Sequence, residues 1–230
     1  MTALAPPSPL SLLREAQGVL ELPRLLLRSP RLARQPRGDG GPVLVLPGYG
    51  AGDASTVVLR AYLRLLGYRA RGWGLGRNQG HVPTLMPRVQ ERVAALARQA
   101  GRPVSLLGWS LGGYLARETA RDRPELVAQV VTLGSPVVGG PKYTAVGEIY
   151  RRWGVDLDAV EQAVEARYAK PLTTRVAAIY SRGDGVVAWR ACIDERSPNV
   201  EHVEVETTHL GLGICPEVYE IIASRLARRN

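Results

Sequence analysis

Ser110 lies in the glycine-rich stretch Gly108-Trp109-Ser110-Leu111-Gly112, between an apolar run and a segment with helical spacing. The pattern G-x-S-x-G predicts a serine at the tip of a sharp strand-to-helix turn, where the hydroxyl is exposed and the backbone is strained. Only very small side chains fit two positions before and after such a serine. We therefore predict that Ser110 is a nucleophile. The N–H of Leu111, at the start of the next helix, is predicted to stabilise negative charge above it.

A serine nucleophile needs a base, and the base needs a group that orients it. The chain contains three histidines. His209 follows the last predicted strand in VEVETTHLGLG, where a loop can place it over Ser110, so it is the predicted base. His81 lies in a glycine-rich loop and is predicted at the mouth of the pocket. His202 alternates with valines and is predicted to face solvent.

The acid that orients the histidine is expected between serine and histidine in chain order. Asp184 meets this requirement, because it follows the predicted strand RVAAIYS and is flanked by glycines. Asp194 is the alternative acid. Asp156 and Asp158 are instead predicted to be N-terminal residues of a helix.

Alternating strands and helices must position these residues. Apolar runs that end in glycine or proline, such as GPVLVLPG and RPVSLLG, predict buried parallel strands. Segments with helical spacing, such as TLMPRVQERVAALARQAG and PEVYEIIASRLARR, separate them. The alternation predicts an α/β domain with a mainly parallel central sheet and helices on both faces.

Two segments do not follow this alternation. Residues 1–40 are rich in leucine and arginine and are interrupted by prolines. They are predicted to form an N-terminal amphipathic arm that packs on the domain of residues 41–230, and the alternative is a segment that lies on a membrane surface. Residues 137–171 are predicted to form a small cap or lid with glycine hinges, and the alternative is an ordinary surface helix. The cap residues predicted to share one helical face are Trp153, Leu157, Val160, Val164 and Tyr168.

The bulk composition fits one soluble globular domain. The chain has 230 residues, of which 45% are hydrophobic and 22% charged. It has no apolar stretch of the length that spans a membrane and no visible secretory signal, so a cytoplasmic location is expected. The net charge is +9, and arginine supplies all but two of the 30 basic residues. These arginines are spread along the chain, so we expect no nucleic-acid partner.

The chain resembles the α/β-hydrolase superfamily, in particular its small bacterial esterases and lipases. The resemblance covers about residues 42–229 and is carried by LPGYGAGD, GWSLGG, SRGDGVV and TTHLGLG, in that order. It implies a serine hydrolase that cleaves carboxylic esters through a Ser110–His209–Asp184 triad and an acyl-enzyme, with no metal or organic cofactor. It also implies that the N–H of Tyr49 is the second oxyanion-hole donor.

Apolar residues flank these motifs and predict an apolar acyl pocket, which favours short- to medium-chain acyl esters, and lipids if the cap opens. The basic surface suits association with anionic lipid interfaces. The oligomeric state is not predicted. The residues predicted to contact substrate are Leu75, Trp109, Val137, Val138, Val186, Val187 and Leu210.

Two alternatives to an esterase share this fold. One is an acyltransferase or thioesterase that uses the same triad, and the other is a catalytically silent lipid-binding module.

The resemblance also suggests a role for Cys192 and Cys215, because some lipases join their acid and histidine loops by a disulfide. Two unpaired buried cysteines are the alternative. A disulfide would indicate a periplasmic or secreted protein rather than a cytoplasmic one.

Overall fold

A single six-stranded sheet forms the centre of the protein, whose structure, a computed structural model, describes residues 4–228. The first three residues of the predicted arm and the last two of the predicted domain lie outside this range. The strands are β1 (Pro42–Leu46), β2 (Arg69–Gly72), β3 (Val104–Trp109), β4 (Val127–Leu133), β5 (Val176–Tyr180) and β6 (Val200–Glu204). Their order is β2-β1-β3-β4-β5-β6 and every neighbouring pair is parallel. The predicted parallel sheet is therefore confirmed.

Helices cover both faces of this sheet, as predicted. The helices of the described residues are α1 (Pro9–Arg14), α2 (Glu21–Leu27), α3 (Ser29–Leu32), α4 (Val57–Leu65), α5 (Val82–Ala100), α6 (Leu111–Asp122), α7 (Gly147–Arg152), α8 (Leu157–Ala166) and α9 (Pro216–Leu226). Within β1, Val43 and Val45 join the core beneath α4 and α9, whereas Leu44 and Leu46 join the core beneath α5 and α6. Because both faces of the strand are buried, its sequence is apolar throughout rather than alternating.

The three predicted catalytic residues lie beyond the carboxyl ends of three strands. Ser110 follows β3 directly, Asp184 lies in the loop after β5, and His209 lies in the loop after β6. Because the strands are parallel, these loops emerge from the same edge of the sheet, where binding sites of open α/β sheets form.

Residues 137–171 contain α7 and α8, flanked by 3₁₀ turns over Gly140–Tyr143 and Arg167–Ala169. The prediction of one helical face that runs from Trp153 to Tyr168 is wrong, because Gly154, with φ of +77°, separates the two helices. Asp156 caps α8 by accepting hydrogen bonds from the N–H groups of Asp158 and Ala159, at 2.9 and 3.1 Å.

The described part of the N-terminal arm packs on the domain with its carboxylates inward. Glu15 and Glu21 are 5% and 6% exposed, whereas Leu27 is 81% exposed. Arg24 and Arg31 hold the arm to α9 through ion pairs with Glu217 and Glu220. Among the described residues, no helix combines the length and the apolarity needed to cross a membrane.

Candidate active site

Ser110 has a strained backbone, with φ of +54° and ψ of −125°, and is the one non-glycine residue with positive φ in the described part of the chain. A conformation of this kind costs about 1–3 kcal/mol. A Cβ on Gly108 would overlap the backbone of Gly112, and a Cβ on Gly112 would overlap the carbonyl of Leu46. The two glycines are therefore required by the turn, as the motif predicts.

Two residues that line a cavity around Ser110 have backbone N–H groups with no acceptor among the described residues. They are Tyr49, after β1, and Leu111, at the start of α6. Buried Asn78 fixes the loop of Tyr49, because its backbone C=O accepts from Gly50 N at 2.7 Å and its side chain donates to Pro47 O at 3.0 Å. Asn78 is not among the site residues predicted from the sequence. Its position in the glycine-rich loop GLGRNQGH is the sequence feature that could have indicated this role.

His209 and Asp184 form a buried pair. His209 Nδ1 lies 2.6 Å from Asp184 Oδ2, while Asp184 Oδ1 accepts hydrogen bonds from the N–H groups of Val186 and Val187, at 2.9 and 2.7 Å. These contacts hold the carboxylate in one orientation. Because Nδ1 is engaged, the nitrogen of His209 available for proton transfer is Nε2.

Charge around His209 changes its basicity. Burial of the ring lowers the pKa of His209, but the charge of Asp184, the hydrogen bond to it and the charge of Glu15 raise the pKa. The raising contributions exceed the effect of burial, so the pKa of His209 lies above the ordinary value of 6.5. The protonated form of the ring is therefore stabilised here.

The alternative acid and the two other histidines have different surroundings from Asp184 and His209. Asp194 pairs with Arg117 in a buried ion pair and does not serve His209. His202 is half-buried, and its Nε2 accepts a hydrogen bond from Asp194 N at 2.9 Å, so the prediction that it faces solvent is wrong. His81 is exposed and lines the cavity of Ser110.

A mainly apolar cavity of about 700 Å³ contains Ser110 and His209. Leu75, Val137 and Val138 do not line it, although they were predicted to contact substrate. Leu75 packs against the apolar core that α5 and α6 form with the sheet. Val137 and Val138 instead donate their N–H groups to Ala191 O, at 2.9 and 3.0 Å. The predicted pocket residues that do line the cavity are Trp109, Val186, Val187 and Leu210.

Trp109 lines the cavity and also supports the histidine loop. Its Nε1 donates to His209 O at 3.2 Å, and the two ring centroids are 6.2 Å apart. A Cβ on Gly213 would lie 2.8 Å from the indole. The indole therefore packs against the loop that carries His209.

Aromatic residues of the predicted cap line the cavity. The rings of Tyr150 and Trp153 lie 5.7 and 6.3 Å from that of Tyr49. Tyr150 Oη also donates to Gly80 O at 3.2 Å. The cap residues Tyr150 and Trp153 thus lie against the loops that bound the cavity.

Cys192 and Cys215 are free thiols in this structure, so the disulfide that the resemblance suggested is not formed. The two cysteines are buried in different apolar clusters, Cys192 beside Val187 and Ala191 and Cys215 in the core of α9. Burial raises the pKa of both thiols, that of Cys215 to about 12, so both remain protonated at neutral pH.

One group of potential metal ligands occurs among the described residues. The ligand atoms of Glu21, Cys215 and Glu217 lie within 4.8 Å of one another. Arg24 contacts both carboxylates and Arg28 contacts Glu217, at 2.7 and 2.8 Å. Two guanidinium groups on these carboxylates, together with a protonated thiol, do not form a cation site.

Sequence comparison finds similarity to curated esterases over part of the chain. It is 29% identical to a pimeloyl-[acyl-carrier protein] methyl ester esterase of Aliivibrio fischeri over 105 residues, which is 44% of this chain and 39% of that protein. It is 36% identical to the enzyme of the same name from Yersinia pseudotuberculosis over 75 residues, 33% of this chain and 26% of that protein. The matched region thus spans less than half the length of these relatives. No protein-family model matches the chain.

Structure comparison finds similarity over most of the chain. A lipase of Bacillus licheniformis superposes with a TM-score of 0.62 at 12% identity, covering 84% of this chain and 94% of that one. The mouse α/β-hydrolase domain-containing protein 10 superposes with a TM-score of 0.57 at 17% identity, covering 84% and 90%. At these identities the similarity is one of fold.

Proposed function

This chain has the α/β-hydrolase fold, and on that fold we propose that it is a serine hydrolase that cleaves carboxylic esters. One observation supports this proposal more than any other. A single cavity is lined by a strained serine, a histidine paired with a buried aspartate, and two residues whose backbone N–H groups have no acceptor among the described residues. These are the parts that acyl transfer through a serine requires.

The proposed reaction begins with Ser110. Its Oγ attacks the ester carbonyl carbon while His209 Nε2 takes the hydroxyl proton, and Asp184 stabilises the imidazolium through Nδ1. The carbonyl oxygen gains the negative charge and accepts hydrogen bonds from the N–H groups of Tyr49 and Leu111. These donors need no rearrangement, since neither has an acceptor to leave in the part of the chain that the structure describes.

Collapse of this intermediate releases the alcohol. His209 returns the proton to the leaving oxygen as the C–O bond breaks, leaving the acyl group on Ser110. Water then attacks the acyl carbonyl with His209 as base, and the carboxylic acid departs with Ser110 restored. Every proton in both halves passes through Nε2, so one histidine suffices.

The acyl side of the substrate is proposed to be apolar. Val160, Val164 and Val186 line the cavity together with the cap aromatics. Its volume of about 700 Å³ lies within the range of small-molecule sites. We propose short- to medium-chain acyl esters, and lipid esters if the cap moves away from Tyr49.

We also propose that the N-terminal arm binds an anionic lipid surface. Its buried carboxylates leave an outer face of leucine and arginine, and the chain carries a net charge of +9. Basic amphipathic segments of this kind bind anionic bilayers through apolar burial and charge attraction. The most exposed apolar residues of the arm are Leu10, Leu13, Val19, Leu20, Leu26 and Leu27.

Ester hydrolysis together with covalent labelling tests the proposal. We expect turnover of p-nitrophenyl esters and a fluorophosphonate adduct located on Ser110 by mass spectrometry. Ser110→Ala and His209→Ala should each lower kcat by about 10⁴–10⁶-fold, and the double variant should lose little more, because the residues act as one unit.

Ser105→Ala is the matched control, since Ser105 lies on the same strand and does not line the cavity. It should retain both turnover and labelling. Label on another residue, or neither label nor turnover in the wild-type protein, would contradict the proposal. Acyl transfer to an added alcohol that exceeds hydrolysis would instead identify an acyltransferase.

A further inference from the structure

Glu15 of the N-terminal arm contacts both loops of the proposed acid–base pair. Its Oε1 accepts from the N–H of Gly185 at 2.7 Å, next to the proposed acid, and from the N–H of His209 at 3.1 Å. Its Oε2 accepts from the N–H of Leu210 at 2.8 Å. All three partners are donors, the arrangement that an ionised carboxylate satisfies.

The arm presses closely on these two loops around Glu15. A Cβ on Gly185 would overlap the carbonyl oxygen of Ser11, and a Cβ on Gly18 would lie 2.7 Å from Thr208 Oγ1. Glycine on each side of the contact therefore lets the backbones approach. Glu15 is 5% exposed at this junction, so its hydrogen bonds are largely shielded from water.

We propose that Glu15 is a positioning residue that holds the loop of Asp184 and the loop of His209 at a fixed spacing. This inference rests on the proposed serine hydrolase function. One carboxylate bridges the backbone next to Asp184 and the backbone of His209, so it restrains the spacing of the two loops whose side chains meet at 2.6 Å. Asp184 orients the imidazole ring, while Glu15 orients the loops that carry both groups.

The charge of Glu15 also acts on His209. The groups that raise the pKa of His209 are Asp184 and Glu15, against the lowering effect of burial. Removing the negative charge of Glu15 destabilises the imidazolium, so the pKa of His209 falls. A base with a lower pKa stays neutral to lower pH, and the acidic limb of the pH–rate profile therefore moves to lower pH.

The test compares Glu15→Gln with Glu21→Gln. Both residues are buried carboxylates of the arm, but Glu21 contacts Thr207 Oγ1 and Arg24 and is not among the groups that shift the pKa of His209. The ester kinetics, the thermal midpoint and the NMR titration of the His209 ring are measured for each protein. The NMR titration does not depend on ester turnover.

For Glu15→Gln we expect kcat to fall about 10- to 100-fold, with KM nearly unchanged because Glu15 does not line the cavity. The pKa of His209 should fall and the acidic limb should move to lower pH by the same amount. Glu15→Ala, which removes all three acceptors, should lose more. Glu21→Gln should retain the wild-type kcat and His209 titration.

Wild-type kcat and an unchanged His209 titration in Glu15→Gln would overturn the inference. Equal losses in both glutamine variants, matched by equal falls in the thermal midpoint and no change in the pKa of His209, would also overturn it, because Glu15 would then be only structural. A wild-type protein without esterase activity would contradict the proposed function, and the NMR titration would still test the role of Glu15.

Discussion

Asp184 uses its two oxygens for different purposes, and this division shapes what a substitution at that position does. Oδ2 pairs with His209 and Oδ1 accepts the N–H groups of Val186 and Val187. An asparagine can keep the second set of contacts, so Asp184→Asn should fold. It cannot stabilise the imidazolium, and an amide N–H facing Nδ1 favours the wrong tautomer of the ring.

We predict that Asp184→Asn lowers kcat by about 10⁴-fold. Its thermal midpoint should stay near that of the wild type. Loss of the charge also lowers the pKa of His209, which lies above 6.5 in the wild type, so the acidic limb of kcat/KM should shift to lower pH. Steady-state kinetics over a pH series measures both effects. Asp194→Asn is the comparison, and it should reduce stability through Arg117 while leaving the limb in place.

At the scale of elements, a few side chains of the predicted cap form part of the wall of the Ser110 cavity. Trp153 lines the cavity although it is 61% exposed, and Ile149 of α7 is 40% exposed and does not line it. We predict that Trp153→Ala raises KM about tenfold for p-nitrophenyl octanoate and little for the acetate, because only a longer acyl chain buries apolar surface against the indole.

Ile149→Ala is the control for this prediction, since it removes apolar surface from the same cap without touching the cavity. It should leave KM unchanged for both esters. A change in Trp153→Ala of equal size for every chain length would show that the indole does not contact the acyl chain.

The elements also decide which parts of the site could be predicted from the sequence. Ser110, Asp184 and His209 each follow a strand of the parallel sheet, and a parallel sheet gathers such positions at one edge. Leu75 and Val137 are predicted to contact substrate because they lie near the motifs in sequence. Nearness along the chain does not determine where a side chain points, and both pack away from the cavity.

The contacts of Glu15 could not be predicted because they reverse the usual orientation of an amphipathic segment. Leucines normally face the core and carboxylates face water. Here Leu13 and Leu27 are exposed while Glu15 and Glu21 are buried, since this part of the arm meets polar loop backbone. Leu25 and Leu32 of the same arm do pack into the apolar core. The N–H groups that donate to Glu15 come together only when both loops have folded.

At the scale of the whole molecule, the outward leucines of the arm lead to a prediction about lipid binding. We expect the protein to co-sediment with vesicles that contain phosphatidylglycerol and to bind phosphatidylcholine vesicles less. Added salt should weaken the binding, because charge attraction contributes to it. The variant Leu13→Ser/Leu27→Ser should lose it, as it removes apolar surface from the arm.

Leu65→Ser is the matched control, because Leu65 is 54% exposed on α4, outside the arm. It should bind vesicles like the wild type. The lipid proposal would be contradicted if the wild type stayed in the supernatant at low salt. It would also be contradicted if the wild type sedimented as a dimer in ultracentrifugation and the arm variant as a monomer, since a second copy would then cover the leucines.

The position of Glu15 in the chain determines when the site can be completed during synthesis. Its partners Gly185 and His209 are 170 and 194 residues further along the chain. The ion-pair partner of Arg24, which is Glu217, is also far along the chain. Contacts this distant in sequence form late, after the segments between them have folded. The arm therefore leaves the ribosome before the two loops that Glu15 contacts, and it can dock only after both loops have emerged. A nascent chain can form the turn of Ser110 before His209 has been synthesised, so the proposed acid–base pair is completed later than the proposed nucleophile.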